Sequence, residues 1–155
     1  MLKEVLTVDE IREKLAKYCV YQDRCQWEVE QKFNEFNLIP EAKDQIMIYL
    51  IQNDFVNEER FAKNFVRSKF NQKKWGVNKI SMELKKRKIP VNLIRIAMEE
   101  IDKESYMSTL NQLYNTKKYS LKHERDSLKK KGKIRRYLLQ KGYESELIYE
   151  LLRFD

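Results

Sequence analysis

Residues 54–89 read DFVNEERFAKNFVRSKFNQKKWGVNKISMELKKRKI, and this stretch decides the fold. Asn57 is placed to cap a helix, its side-chain oxygen accepting from free N–H groups of the first turn. Glu58 and Glu59 follow where the helix dipole favours negative charge. Phe61, Phe65, Val66 and Phe70 recur at helical spacing and form one apolar stripe. The chain then turns basic through Lys73 and Lys74. A second helix follows, on which Val77, Ile80 and Leu84 share a face at 100° per residue. The spacing predicts helix, connector, helix.

The same pattern recurs in the chain. A gapless shift of 54 positions lays residues 80–98 on 134–152. Ile80 then falls on Ile134, Leu84 on Leu138, Ile89 on Tyr143, and Leu93, Ile94, Ala97 and Met98 on Leu147, Ile148, Leu151 and Leu152. A weaker copy lies near the N-terminus. There Val29 and Phe33 stand for Ile80 and Leu84, and Ile46 and Leu50 for Ile94 and Met98, after about three inserted residues. Each copy predicts three helices. The expected helices run near 8–20, 26–37 and 40–53, then 58–71, 76–88 and 91–102, then 104–118, 127–141 and 145–153. Residues 119–127 are compatible with a helix extension or a mobile basic loop. The expected units are 1–53, 54–102 and 103–155, and the fold class is all-α.

Punctuation supports these boundaries. Thr7 and Glu10 form a capping box. Pro40 suits a first helical position, and Pro90 is expected to play the same part. Gly142 is expected to end its helix in a left-handed conformation. The equivalent positions hold Lys88 and Asn37. Asn tolerates that conformation, and Lys adopts it at a cost of about 1 kcal/mol. The third unit should therefore have the least strained turn.

The composition fits a surface-rich helical protein: 42% of residues are hydrophobic, 36% are charged, and there are only three Gly and two Pro. The net charge of +8 is divided unevenly. Residues 1–59 carry 7 Lys/Arg against 13 Asp/Glu, and residues 60–155 carry 25 against 11. The basic part predicts a polyanionic partner. Cys19 and Cys25 make neither a zinc site nor a disulfide framework, and a reduced cytoplasmic protein is expected. The N-terminal sequence lacks the apolar core of a signal peptide. No apolar run approaches the ~20 residues that span a bilayer.

Several ordered motifs resemble those of the RecX family of bacterial RecA regulators. They are Phe55-Val-Asn-Glu-Glu-Arg-Phe-Ala62, Phe65-Val66, Arg67, Gly76, Ile80, Leu84, Ile89, and Arg136-Tyr-Leu-Leu-Gln-Lys-Gly-Tyr143 with Ile148. The chain departs from the family pattern at Asn57, within an acidic pair, and at Lys88, where the pattern has Gly. The resemblance implies three tandem three-helix repeats in an elongated, curved molecule. It implies binding to the RecA–DNA filament, inhibition of RecA ATP hydrolysis and strand exchange, and limited filament growth. A monomer without cofactors is expected.

The candidate DNA or filament contacts are Lys73, Lys74, Lys79, Lys85, Lys86, Arg87, Lys129, Lys130, Lys133, Arg135 and Arg136. Lys129, Lys133 and Arg136 form a stripe opposite Ile134 and Leu138. Lys79 and Lys133 are equivalent in the 54-residue register. Between 117 and 136 there are ten basic and two acidic residues. Such contacts give nonspecific, salt-sensitive binding to single- and double-stranded DNA. The plain alternative is a solvated helix surface with some lysines paired to Glu83 or Glu124. Arg60, Phe61, Ala62 and Phe65 read as structural, with Arg60 pairing to a carboxylate or capping a neighbouring unit. Trp27 and Trp75 suit packing between units, with stacking on bases as the alternative.

Catalysis finds no set of parts. His123 is the lone histidine, adjacent carboxylates such as Glu99 and Glu100 diverge on a helix, and there is no Gly-rich phosphate loop. No metal site is expected. A sequence-specific helix-turn-helix reader is a second possibility, but its reading helix would be 91–102, which has one Arg and ends in Glu99, Glu100 and Asp102. A pure protein-binding scaffold is the third.

Overall fold

The structure is a computed structural model that describes residues 5–154. Within them lie nine helices: α1 Val8–Tyr21, α2 Gln26–Phe33, α3 Pro40–Gln52, α4 Glu58–Lys73, α5 Val77–Lys86, α6 Val91–Met98, α7 Lys103–Ser120, α8 Ser127–Lys141 and α9 Ser145–Leu152. They follow one another as three three-helix units. The accessible surface is 10394 Å², against about 8,400 Å² expected of a compact monomer of this mass. That excess is the mark of an elongated molecule.

Most helix starts follow from local chemistry. Glu10 N–H donates to Thr7 Oγ1 at 3.1 Å, and Thr7 N–H to the Glu10 carboxylate at 3.3 Å, closing the capping box. Asn57 accepts from Arg60 N–H at 2.9 Å. Asp126 accepts from Leu128 and Lys129 N–H at the start of α8. Pro40 is the first residue of α3, as expected. Pro90 instead caps α6, which starts at Val91.

Three helices are shorter than the sequence suggests. α2 stops at Phe33 rather than near 37, because the chain tightens through i to i−3 hydrogen bonds that turn Phe36 into the core. α5 spans Val77–Lys86 within the expected 76–88. α6 stops at Met98 rather than near 102, since Asp102 leaves it to cap α7, accepting from Ser105 N–H at 2.9 Å. Residues 119–127 divide between the two readings. Helix α7 continues to Ser120, and a turn then leads to Asp126.

The turns after α5 and α8 are copies. Lys88 has φ 58° and Gly142 φ 101°, both left-handed. Ile89 N–H then returns to Leu84 O at 3.1 Å, and Tyr143 N–H to Leu138 O at 3.2 Å, at equivalent positions. Asn37 does not adopt a positive φ; the early end of α2 removes the need for it. Two further left-handed residues, Asp54 and Lys74, end α3 and α4.

The described residues form two hydrophobic cores. The first unit packs Ile11, Leu15, Ala16, Cys19, Val29, Phe33, Phe36, Ile46, Leu50 and Val56 together. The second and third share one continuous core, running from Phe61, Ala62, Val66, Ile80 and Leu84 to Leu110, Ile134, Leu138, Tyr143 and Ile148. Cys25, which caps α2, and Trp27 in its first turn join that larger core, and Trp75 packs on it too, so both tryptophans pack where units meet.

Candidate nucleic-acid interface

The second and third units meet backbone to backbone at two of the chain's three glycines. A Cβ on Gly76 would lie 2.4 Å from the carbonyl carbon and oxygen of Gly142 and 2.5 Å from Tyr143 N. A Cβ on Gly142 would lie 2.3 Å from Lys79 Cβ. This closeness lets the third unit satisfy the free N–H groups that begin α5. Gly76 N–H donates to Lys141 O at 2.7 Å and Asn78 N–H to Gly142 O at 2.9 Å. Between them, Val77 N–H donates to Tyr106 Oη at 3.0 Å, and that hydroxyl donates to the Glu144 carboxylate. Tyr143 Oη donates to Lys74 O at 2.9 Å. The positive end of α5 thus abuts the negative end of α8, a favourable arrangement of helix dipoles. Burial raises both tyrosine pKa values, and the bond to Glu144 raises that of Tyr106 further. Both stay protonated and able to donate.

The first and second units meet through charge. Arg60 donates through Nε to Asp23 at 3.2 Å and through Nη1 to Asp54 at 2.9 Å, with a further bond to Asp54 O at 3.0 Å. Asn64 also donates to Asp23. Arg60 therefore both pairs with carboxylates and clamps the neighbouring unit. The bond that Asp54 accepts from Asn57, then the Arg60 charge, lowers the Asp54 pKa. Phe61 and Ala62 are buried, and Phe65 is half-buried against the larger core. Arg87 pairs with Glu83 at 2.9 Å, approaches Glu28 of the first unit at 3.9 Å, and lies 5.0 Å from the Phe65 ring centre. Its guanidinium is half-buried and already engaged by these two carboxylates. The bond from Arg87 lowers the Glu83 pKa.

The remaining candidates fall into three groups. Lys129, Lys133, Arg135 and Arg136 are exposed on α8, and Lys130 is half-buried. Of these, Lys133 contacts Glu124 at 3.5 Å, and the other four have no carboxylate partner among the described residues. The second group gathers at the glycine contact. Lys73 is exposed, and Lys74 and Lys79 are half-buried. Lys79 Nζ lies 4.5 Å from the centre of the Trp75 ring. Lys85 and Lys86 are exposed at the far end of α5. The 54-residue register paired Lys79 with Lys133, but their surroundings differ: one is tucked into the junction, the other open on α8.

Sequence reasoning missed Lys69 and Lys141. Lys69 Nζ lies 5.2 Å from the same Trp75 ring, and Lys141 Nζ donates to Lys73 O at 3.3 Å. The signal was the scarcity of glycine: in a chain with three, two that both stand at helix ends could have suggested contact. Among the described residues no group of His, Cys, Asp or Glu is arranged to hold a metal ion, and no helix is long and apolar enough to cross a membrane.

These features define a class: a tandem three-helix repeat protein with basic faces on its second and third units. Family models place it more narrowly. The RecX second three-helix domain matches residues 57–98, and the RecX third three-helix domain matches residues 104–152. The chain belongs to the RecX family. It is 29% identical over 127 residues to a regulatory protein RecX of Clostridium botulinum (strain Alaska E43 / Type E3), covering 81% of this chain and 59% of that protein. It is 27% identical over 154 residues to a regulatory protein RecX of Listeria welshimeri, covering 94% of this chain and 55% of the relative. The chain thus spans between half and three-fifths of the length of these relatives. In fold it resembles the crystal structure of RecX from Lactobacillus salivarius, with TM-score 0.82, 23% identity and 95% of each chain covered. It also resembles a second crystal structure of regulatory protein RecX, with TM-score 0.84, 19% identity, and 96% of this chain and 73% of that one covered.

Proposed function

We propose that the protein binds the RecA–DNA nucleoprotein filament, inhibits RecA ATP hydrolysis and strand exchange, and limits filament growth, acting as a cytoplasmic monomer. Membership of the RecX family carries this reading. The geometry adds a physical basis: an elongated scaffold presents unpaired Lys and Arg side chains on two units fused through one core. Phosphate neutralisation by such side chains supplies affinity and salt dependence without sequence choice. A sequence-specific reader is disfavoured because α6 is only eight residues long and carries one Arg, while Glu99 and Glu100 follow it.

The test compares binding to bare single-stranded DNA with binding to a preassembled RecA–DNA filament at physiological salt, alongside RecA ATPase activity. Preferential binding to the filament with falling ATPase rate is expected. Equal affinity for both ligands, with unchanged ATPase, would sink the proposal.

A further inference from the structure

We propose that the junction of the second and third units is a nucleic-acid phosphate platform in which the Trp75 indole positions Lys69 and Lys79 beside Lys73, Lys74 and Lys141. This deepens the filament-binding reading and rests on it. Lys69, Lys73 and Lys74 come from the end of α4, Lys79 from α5, and Lys141 from the end of α8. The backbone contact between Gly76 and Gly142 brings them together, and the bond from Lys141 Nζ to Lys73 O ties two of these ends directly.

None of the five lysines forms a salt bridge among the described residues, whereas Arg60, Arg67, Arg87 and Lys133 all do. The cluster is instead held by weaker means. The carboxyl ends of α4 and α8 offset part of its charge. Cation–π attraction then places Lys69 Nζ and Lys79 Nζ at 5.2 and 4.5 Å from the centre of the Trp75 ring. Those two ammonium groups therefore lie within about 10 Å of each other, while one strand of B-form DNA presents a phosphate charge every ~3.4 Å. Five ammonium groups without a counter-carboxylate repel one another, and a run of phosphates relieves that repulsion. Trp75 is half-buried on the core, so its part is to position lysines rather than to stack on a base.

The chain has two tryptophans, so Trp27→Phe leaves Trp75 as the only indole reporter. This variant is titrated with a labelled single-stranded oligonucleotide, reading DNA anisotropy and tryptophan emission together. Both signals should move with one midpoint. Lys79→Glu/Lys141→Glu should weaken binding at least tenfold and lower the salt slope by at least about 1.4, since each phosphate contact contributes about 0.7 for single strands. If that pair fails to fold, as judged by its thermal transition, Lys69→Gln/Lys73→Gln reads the same surface, with a several-fold loss expected. Trp75→Phe, which removes no charge, should weaken binding several-fold while leaving the salt slope unchanged. DNA binding with silent Trp75 emission and lysine variants within twofold of the parent would overturn the platform but leave the filament reading standing. Parent protein that binds neither DNA nor the RecA–DNA filament would overturn both.

Discussion

Gly76→Ala tests the central structural claim, that the second and third units are joined through backbone contact. The residue has φ −79°, a conformation open to alanine, so the intrinsic backbone cost is small. The cost is steric. The new Cβ would sit 2.4 Å from Gly142 backbone atoms, about 1 Å closer than ordinary contact, and neither partner is a flexible side-chain tip. The units must separate by a comparable distance. That stretches the 2.7 Å bond from Gly76 to Lys141 O and the 2.9 Å bond from Asn78 to Gly142 O, and disturbs the Val77–Tyr106–Glu144 relay. Two lost hydrogen bonds at about 1 kcal/mol each, plus loosened packing around Tyr143, give about 2–4 kcal/mol of destabilisation. At this chain length that is a fall in Tm of roughly 5–15 °C. Gly132→Ala is the control. It lies inside α8 with nothing within 4 Å of the point an added methyl would occupy, and should stabilise by about 0.5–1 kcal/mol. Chemical denaturation followed by circular dichroism measures both. A Gly76→Ala transition matching the parent's would refute the proposed contact.

Other expectations follow from the same geometry. Lys88→Gly relieves a left-handed lysine and should stabilise by roughly 0.5–1 kcal/mol in denaturant titrations, with no gain meaning that the strain is absent. Arg60→Ala should cost about 1–2 kcal/mol, and Arg60→Lys should recover little, since one ammonium cannot reproduce the forked bonds to Asp23 and Asp54; thermal melts decide. Burial pushes the Cys19 and Cys25 thiols up to about 11 and about 12, so both should stay protonated and resist a thiol reagent at pH 8 until denaturant is added; rapid labelling of the native protein would contradict their burial. Charge reversal of Lys129, Lys133 and Arg136 together should weaken DNA binding strongly in low-salt filter or anisotropy assays, and retention of most affinity would remove the α8 stripe from the interface.

The sequence alone determined the helices and their threefold recurrence. Apolar spacing and capping residues act within a few positions of one another: Thr7 with Glu10, Asn57 with Arg60 N–H, and Gly142 at a left-handed turn. It also showed the basic character of the second and third units, because charge needs no fold to be counted. Where a helix stopped for a reason outside itself, the boundary was not legible. Phe36 ends α2 by turning into the core, and Asp102 leaves α6 to cap the next helix. The number of cores was hidden as well. Gly76 and Gly142 are 66 residues apart in the chain, and no local pattern says that their backbones touch. Only the tertiary structure decided that contact, and with it which lysines stand free and which are committed. Arg87 is drawn toward carboxylates on two units, while Lys69, unremarkable in its own helix, lies against Trp75, and Lys141 reaches the backbone of Lys73. The physical reason is one of range. Helix propensity and capping act along the chain, whereas the fate of a charged side chain depends on what packing brings within a few ångströms of it.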